Sequence, residues 1–248
     1  RKTDASRRED NVVELIDLGR RGYAEALEIQ KKVLEARIQD QCPDTLIIVE
    51  HPPVYTVGRA MSKTTVLPAT VHVPELGPVP VVAVDRGGKM TYHGPGQIVA
   101  YPIFRLAHRD VRRFLKDLEK VMVASVQAVG LPGRPTPETL ALEPGQLETG
   151  LWVGDRKLGS IGVHIKHWVA YHGVALNVHP DMRYFQAIEP CGFKGDVLSS
   201  VLAEKSLPEA EGPALLETVK AELIKGFEKL AAYYVELDRA KFASSHAP

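Results

Sequence analysis

Two cysteines, Cys42 and Cys191, are too few for a disulfide framework in a chain of 248 residues, so the expected setting is a reducing one, the cytoplasm. Net charge is absent as well. Lys+Arg and Asp+Glu stand at 31 each, which leaves no overall positive field to collect phosphate backbones, and nucleic acid is not expected as a partner. No apolar stretch approaches the ~20 residues of a membrane span, so no membrane association is expected either. The opening RKTDASRRED lacks the apolar core of a secretory signal, and its three acidic residues argue against an intact mitochondrial presequence. Residues 1–11 are therefore expected to be a disordered lead, and a processed organellar protein would look the same. No repeat period appears, which removes solenoids and propellers.

What is present reads as one mixed domain, since such folds reach ~250 residues. Val111, Phe114, Leu115, Leu118, Val121, Met122, Ser125, Val126 and Val129 recur at steps of three and four, with Gly130 and Pro132 as the stop, and predict a helix. Residues 22–39 repeat the pattern through Tyr23, Leu27, Leu34 and Ile38, and residues 213–230 through Leu216, Val219, Leu223, Phe227 and Leu230. Strands are predicted at 11–18, 45–50, 79–85 and 97–103, with a hairpin across 158–178 whose second arm alternates with a period of two. Helices separate groups of strands without strict alternation, which favours an α+β fold, a mixed sheet flanked by helices. The stretch 131–150, rich in Pro, Gly and Glu, reads as an exposed loop.

Three segments carry possible chemistry. RGGKMTYHGPGQ (86–97) packs glycines between two strand-like runs, where backbone N–H groups can approach a ligand, and Tyr92 and His93 are well placed to line a pocket. It has neither Walker A nor G-x-G-x-x-G spacing. GLWVGDRKLGSIGVHIK (150–166) places Lys157 between a turn at Gly154-Asp155 and a strand of small and apolar residues. IEPCGFKGDVLSS (188–200) holds Cys191 between proline and glycine, a setting less typical of core packing than of a nucleophile. A lysine ammonium beside Cys191 would favour the thiolate without a histidine base. His164, His167, His172 and His179 match no established zinc spacing, no metal is expected, and no G-x-S-x-G elbow occurs.

In order, VEHPPVYTVGR (49–59), RGGKMTYHGPGQIVAYPI (86–103), RKLGSIGVHI (156–165), HGVALNV (172–178) and IEPCGF (188–193) resemble the octanoyl transferases of lipoate biosynthesis over about residues 12–235. The resemblance implies a single catalytic domain over that span, similar to biotin and lipoate protein ligases. It implies transfer of an octanoyl or lipoyl group from the phosphopantetheine thioester of acyl carrier protein, with no other cofactor. The acceptor is a lysine on the lipoyl domains of 2-oxoacid dehydrogenase complexes and the glycine cleavage H protein. By motif, Cys191 becomes the acyl thioester and Lys157 lowers its pKa. The acyl pocket takes Arg86, Gly87, Gly88, Lys89, Met90, Thr91, Tyr92 and His93, then Ser160, Ile161 and Gly162, and finally Gly173, Val174 and Ala175, whose small size leaves width for an unbranched chain. Lys89-Met90 departs from the family, which often has an acidic or polar residue followed by a β-branched one, and this bears on chain-length preference. Backbone N–H groups near Gly87 and Gly88 or around Cys191 are candidate oxyanion donors. An acidic carrier protein suggests a basic patch drawn from Arg59, Arg86 and Lys194. An ATP-dependent ligase, a thioesterase and a non-catalytic acyl-binding protein are the competing readings. The end, 238–248, matches nothing and is expected to be disordered.

Overall fold

The computed structural model describes residues 13–137, 149–188 and 197–245. In chain order the elements are β1 (Val13–Arg20), α1 (Tyr23–Ile38), β2 (Asp44–Glu50), β3 (Val54–Val57), a single turn α2 (Arg59–Ser62), β4 (Thr70–Val73), β5 (Gly77–Ala83), β6 (Met90–His93), β7 (Gln97–Ile103), α3 (Val111–Gln127), β8 (Gly133–Pro135), β9 (Gly150–Val153), β10 (Arg156–Lys166), β11 (Val169–Asn177), the short α4 (Arg183–Gln186) and α5 (Val201–Glu204), and α6 (Gly212–Ser245).

Seven strands form one mixed sheet in the order β1-β2-β7-β11-β10-β9-β8, with β1 parallel to β2 and the other neighbours antiparallel. The helices obey their periodicity. In α3, Phe114, Leu115, Leu118, Met122 and Val126 are buried together, Asp110 caps the start by accepting from Arg113 N at 3.1 Å, and Gly130 at φ +86° turns the chain off the end. This face and that of α6 enclose the core on one side of the sheet with Leu46, Ile48, Ile98, Val174 and Leu176. On the other side α1 brings Leu34 against Ile47, Val49, Val99 and Tyr101. The alternation in β11 sorts Ala170, Val174 and Leu176 to the first core and Val169, Tyr171 and Ala175 to the second.

Three expectations need correction. A second, four-stranded sheet, β4-β5-β3-β6, lies beside the large one. Three of its strands have four residues each, too short for a period of two to stand out, and β6 runs inside the segment expected to be a glycine-rich loop. The stretch 131–150, expected to be loop, contributes β8 and the start of β9, while its 138–148 portion lies outside the described residues. Finally, α6 continues past residue 230: Ala231 and Tyr234 extend its buried face, and the end expected to be disordered from 238 is helical as far as Ser245.

Candidate active site

A cleft opens between the two sheets. Strand register supplies its floor: Val99, Ala175 and Ser160 stand opposite one another across β7, β11 and β10, and Gly162 faces Gly173 two residues further along. Gly88, Thr91 and His93 close it from the other side, and the space is about 540 Å3 counting its open mouth. The glycines do more than leave width. A Cβ on Gly173 would lie 2.1 Å from Ala100 O of the neighbouring strand, and one on Gly162 would lie 3.0 Å from Arg86 Cδ. The first is demanded by backbone approach within the sheet, the second by the approach of the glycine-rich segment to β10.

Lys157 lies in the cleft wall with 1% of its surface exposed. Its stem passes Gly150, where a Cβ would come within 2.9 Å of Lys157 Cε, and its Nζ sits 5.9 Å from the centre of the Trp152 ring, within cation–π reach. The bulge between Lys157 and Gly159 in the β9 pairing marks the place where β10 departs from regular geometry. Cys191 and Lys194 lie outside the described residues. The chain that follows them returns to Lys157: Leu198 bridges it in parallel, and Ser199 N donates to Lys157 O at 3.0 Å.

Arg86 is 7% exposed, buried as a splint and not displayed for docking. Its Nη1 donates to Gly87 O and Lys89 O at 2.8 and 3.0 Å, and its Nη2 to Thr56 O and Oγ1 at 2.8 and 2.7 Å. From Thr56 a buried chain of hydrogen bonds runs beneath the cleft. The Thr56 hydroxyl donates to His93 Nε2 at 3.2 Å, His93 Nδ1–H donates to Gln97 Oε1 at 2.8 Å, and Gln97 Nε2 donates to Tyr92 O and Asn177 Oδ1 at 3.1 and 2.9 Å. Asn177 Nδ2 ends it by donating to Ser199 O at 3.2 Å. The polarity is consistent at each link: an amide oxygen at Gln97 requires the proton on Nδ1, which leaves Nε2 to accept. Burial pushes the His93 pKa down to about 3, so the ring is neutral, as this polarity needs. Nearby, Tyr101 OH donates to His51 Nε2 at 2.8 Å and His51 Nδ1–H to Arg21 O at 2.7 Å, with the His51 pKa pushed down to about 4 by burial.

Beyond Gly173 the wall is formed by His172, 1% exposed. Its Nε2–H donates to Asp85 Oδ1 at 2.7 Å. That bond first, then one from Tyr171 OH and the nearby His164, hold the Asp85 carboxyl well below the usual carboxylate range, while burial lowers the His172 pKa against the pull of Asp85. Tyr171 and His172 are strand neighbours, yet their rings stack at 4.7 Å. A φ of +56° at His172 brings the ring round.

The cleft thus brings together Lys157, Arg86, Gly88, Thr91, His93, Ser160, Ile161, Gly162, Gly173, Val174 and Ala175. Gly87, Lys89, Met90 and Tyr92 do not line it. Alternation along β6 explains two of these: Thr91 and His93 face the cleft, whereas Met90 and Tyr92 turn to a separate cluster with Tyr55, Val79 and Phe185. Gly87 N–H is committed to Val163 O at 3.1 Å, which removes it as an oxyanion donor. Of the expected basic patch, Arg86 is buried, Lys194 lies outside the described residues, and Arg59 is exposed with its Nη1 3.5 Å from His164 Nε2. Among the described residues no group of three His, Cys, Asp or Glu could hold a metal ion. No helix among them is long and apolar enough to cross a membrane. Sequence reasoning missed Tyr23, Val99, Tyr101, Thr149 and His172 on the wall, and Thr56, Asp85, Gln97 and Asn177 behind it. Thr56, Gln97, Tyr101, His172 and Asn177 sit inside the ordered motifs, which was the available signal.

Residues 22–227 match the lipoyl protein ligase A/B catalytic domain family. The chain is 41% identical over 212 residues to an octanoyltransferase of Rubrobacter xylanophilus, covering 84% of this chain and 88% of that one. It is 36% identical over 228 residues to an octanoyltransferase of Syntrophotalea carbinolica, covering 91% and 97%. In fold it is similar to a putative lipoate protein ligase from T. acidophilum with bound lipoic acid (TM-score 0.65, 16% identity, 93% and 95% covered). It is also similar to lipoate-protein ligase A bound with ATP (TM-score 0.64, 15% identity, 93% of each chain).

Proposed function

The chain belongs to the lipoyl protein ligase A/B catalytic domain family and is an acyltransferase that moves octanoyl groups in protein lipoylation, and we propose that it does so by way of a thioester on Cys191. The donor is octanoyl-acyl carrier protein and the acceptor a specific lysine of a lipoyl domain. In the first half, the Cys191 thiolate attacks the donor carbonyl, the bond to the phosphopantetheine sulfur breaks, and the carrier leaves as a thiol after taking up a proton. One thioester replaces another of similar energy, so no ATP is consumed. In the second half, the neutral acceptor amine attacks the acyl-enzyme, loses a proton, and displaces the Cys191 thiolate to leave an amide.

The observation that carries this reading is the buried Lys157 at one end of a trough floored by small and apolar groups, with the chain returning from the Cys191 segment fastened to it at Leu198 and Ser199. A buried ammonium beside a thiol favours the thiolate, and the trough rewards an alkyl chain at about 0.8 kcal/mol per buried CH2. The test is the intact mass of wild type and Cys191→Ser after mixing with octanoyl-acyl carrier protein, followed by an apo lipoyl domain. The wild type should gain one octanoyl group and pass it on, and the variant should gain none. Transfer that instead requires octanoate and ATP would replace the reading with that of a ligase.

A further inference from the structure

Glu119 is a buried carboxylate that the transfer chemistry does not use. It lies on the flank of α3 between Leu115 and Met122, 6% exposed, where an apolar side chain would fill the same place without desolvating a charge. Its Oε1 accepts three hydrogen bonds, from Thr136 N at 3.2 Å, from the Thr136 hydroxyl at 2.7 Å and from Gly150 N at 3.1 Å. The Gly150 N–H is shared with Thr136 Oγ1 at 2.8 Å, so carboxylate, hydroxyl and peptide close a ring in which each donor is met. The helix is thereby fastened to the two points where the chain leaves β8 and enters β9.

Gly150 connects that ring to Lys157. A Cβ there would lie 2.9 Å from Lys157 Cε and 2.2 Å from Gly159 O, so Gly150 is wedged between the lysine stem and the strand that carries it. Thr149, next to it, lines the cleft and accepts from Ile161 N at 3.2 Å. The β9 pairing is bulged between Lys157 and Gly159, so the ladder is interrupted beside the lysine, and the bonds from Glu119 hold this point from the helix instead. Burial alone does not make such a link. Asp117, on the same helix and also 6% exposed, turns its carboxylate to α6, accepting from Tyr234 OH at 3.0 Å, and pairs with Lys120.

We propose that Glu119 is a positioning residue for the transfer: through Gly150 it sets the place of the Lys157 ammonium, and with it the thiolate character of Cys191. The proposal rests on the thioester reading and deepens it. The pull of an ammonium on a thiol falls with separation, and a misplacement of about 1 Å can cost on the order of 100-fold in rate.

Two readouts test it: the rate of acyl-enzyme formation from octanoyl-acyl carrier protein by intact mass, and the pH midpoint of Cys191 alkylation by iodoacetamide. The second is read on the peptide carrying Cys191, because Cys42 also reacts. In Glu119→Leu the rate should fall about 10-fold or more, and the midpoint should rise towards the ordinary thiol value of about 8.5. Glu119→Gln keeps an oxygen for Gly150 N and should stay within about 3-fold of the wild-type rate. Asp117→Leu removes a carboxylate of equal burial and should leave rate and midpoint at wild-type values, whatever it does to the urea midpoint. If Glu119→Leu does not fold, Thr136→Val carries the test, since it takes the hydroxyl out of the ring and should shift both readouts in the same direction. A wild-type rate and midpoint in Glu119→Leu, or in Thr136→Val where the first is unfolded, overturn the proposal. So does a Glu119→Gln as slow as Glu119→Leu, or an equal effect of Asp117→Leu, which would make lost stability the cause. If the wild type itself gains no octanoyl group, the thioester reading fails and the proposal falls with it.

Discussion

Replacing Gln97 by leucine removes the middle of the buried chain that joins the glycine-rich segment to Ser199. Gln97 makes three hydrogen bonds through one amide and is almost wholly buried. Leucine fills a similar volume but strands His93 Nδ1–H, Tyr92 O and Asn177 Oδ1, each a buried group whose loss of a partner costs about 1–3 kcal/mol. Burying the leucine returns about 2 kcal/mol. The net expectation is a loss of about 1–7 kcal/mol, centred near 4 and so at the top of the range for single substitutions. For a chain of this size that corresponds to a fall in Tm of about 10 °C or more. Urea denaturation with a constant m-value measures it, and Thr218→Ala, which removes one exposed bond to Ala214 O, is the control expected within about 0.5 kcal/mol of wild type. Because Gln97 and Asn177 share a bond, Gln97→Leu and Asn177→Leu should be non-additive by about 0.5 kcal/mol or more. A loss under about 1 kcal/mol, or full additivity, would refute the continuous network.

Acid should destabilise the fold before its carboxylates titrate. His51 and His93 have folded pKa values of about 4 and about 3, below the unfolded value of about 6.5, so between these limits the unfolded chain binds more protons and stability rises with pH. Each ring should cost about 2 kcal/mol on going from pH 8 to pH 5, and urea midpoints that stay flat over that window would contradict it. Lys157→Met should move the pH midpoint of Cys191 alkylation by iodoacetamide up to the ordinary thiol value of about 8.5, whereas an unchanged midpoint would detach the lysine from the thiol. Ala175→Leu, on the cleft floor, should exclude about three methylenes and weaken octanoyl uptake roughly 50-fold, with butanoyl affected much less in the same mass assay. Gly173→Ala should instead lower stability by about 2 kcal/mol or more in thermal melts, because its Cβ meets Ala100 O and not the cleft.

Much of the fold is legible in the sequence where a period has room to repeat. The face of α3 spans 17 residues and the alternation of β11 spans nine, long enough for 3.6 and 2 to separate. In β3 and β6, four residues each, the two periods cannot be told apart, and the second sheet stays hidden. That loss carries over to the site. Without β6 as a strand, 86–93 reads as a continuous pocket loop, and Tyr92 and Met90 enter it beside Thr91 and His93. Once it is a strand, alternation sends them to opposite faces.

What lies behind the cleft is hidden for a different reason. Gln97 and Asn177 are 80 positions apart, His172 and Asp85 are 87, and no local pattern marks a polar residue whose partner is that distant. Composition predicts only that such groups are exposed, and here Gln97, Asn177 and His172 are buried because each is held by a partner, while Asp85 reaches in from a partly exposed position. Glycines present a related ambiguity. A glycine in a motif is equally consistent with room for a ligand and with contact between two backbones, and the two lead to opposite mutational outcomes. Around Gly173 and Gly162 the distances separate the two: an added methyl would strike Ala100 O at 2.1 Å in one case and only press on the Arg86 side chain at 3.0 Å in the other. The width of the trough therefore rests on Ser160 and Ala175, whose side chains form its floor, and substitutions there should change which chain is accepted without first unfolding the sheet.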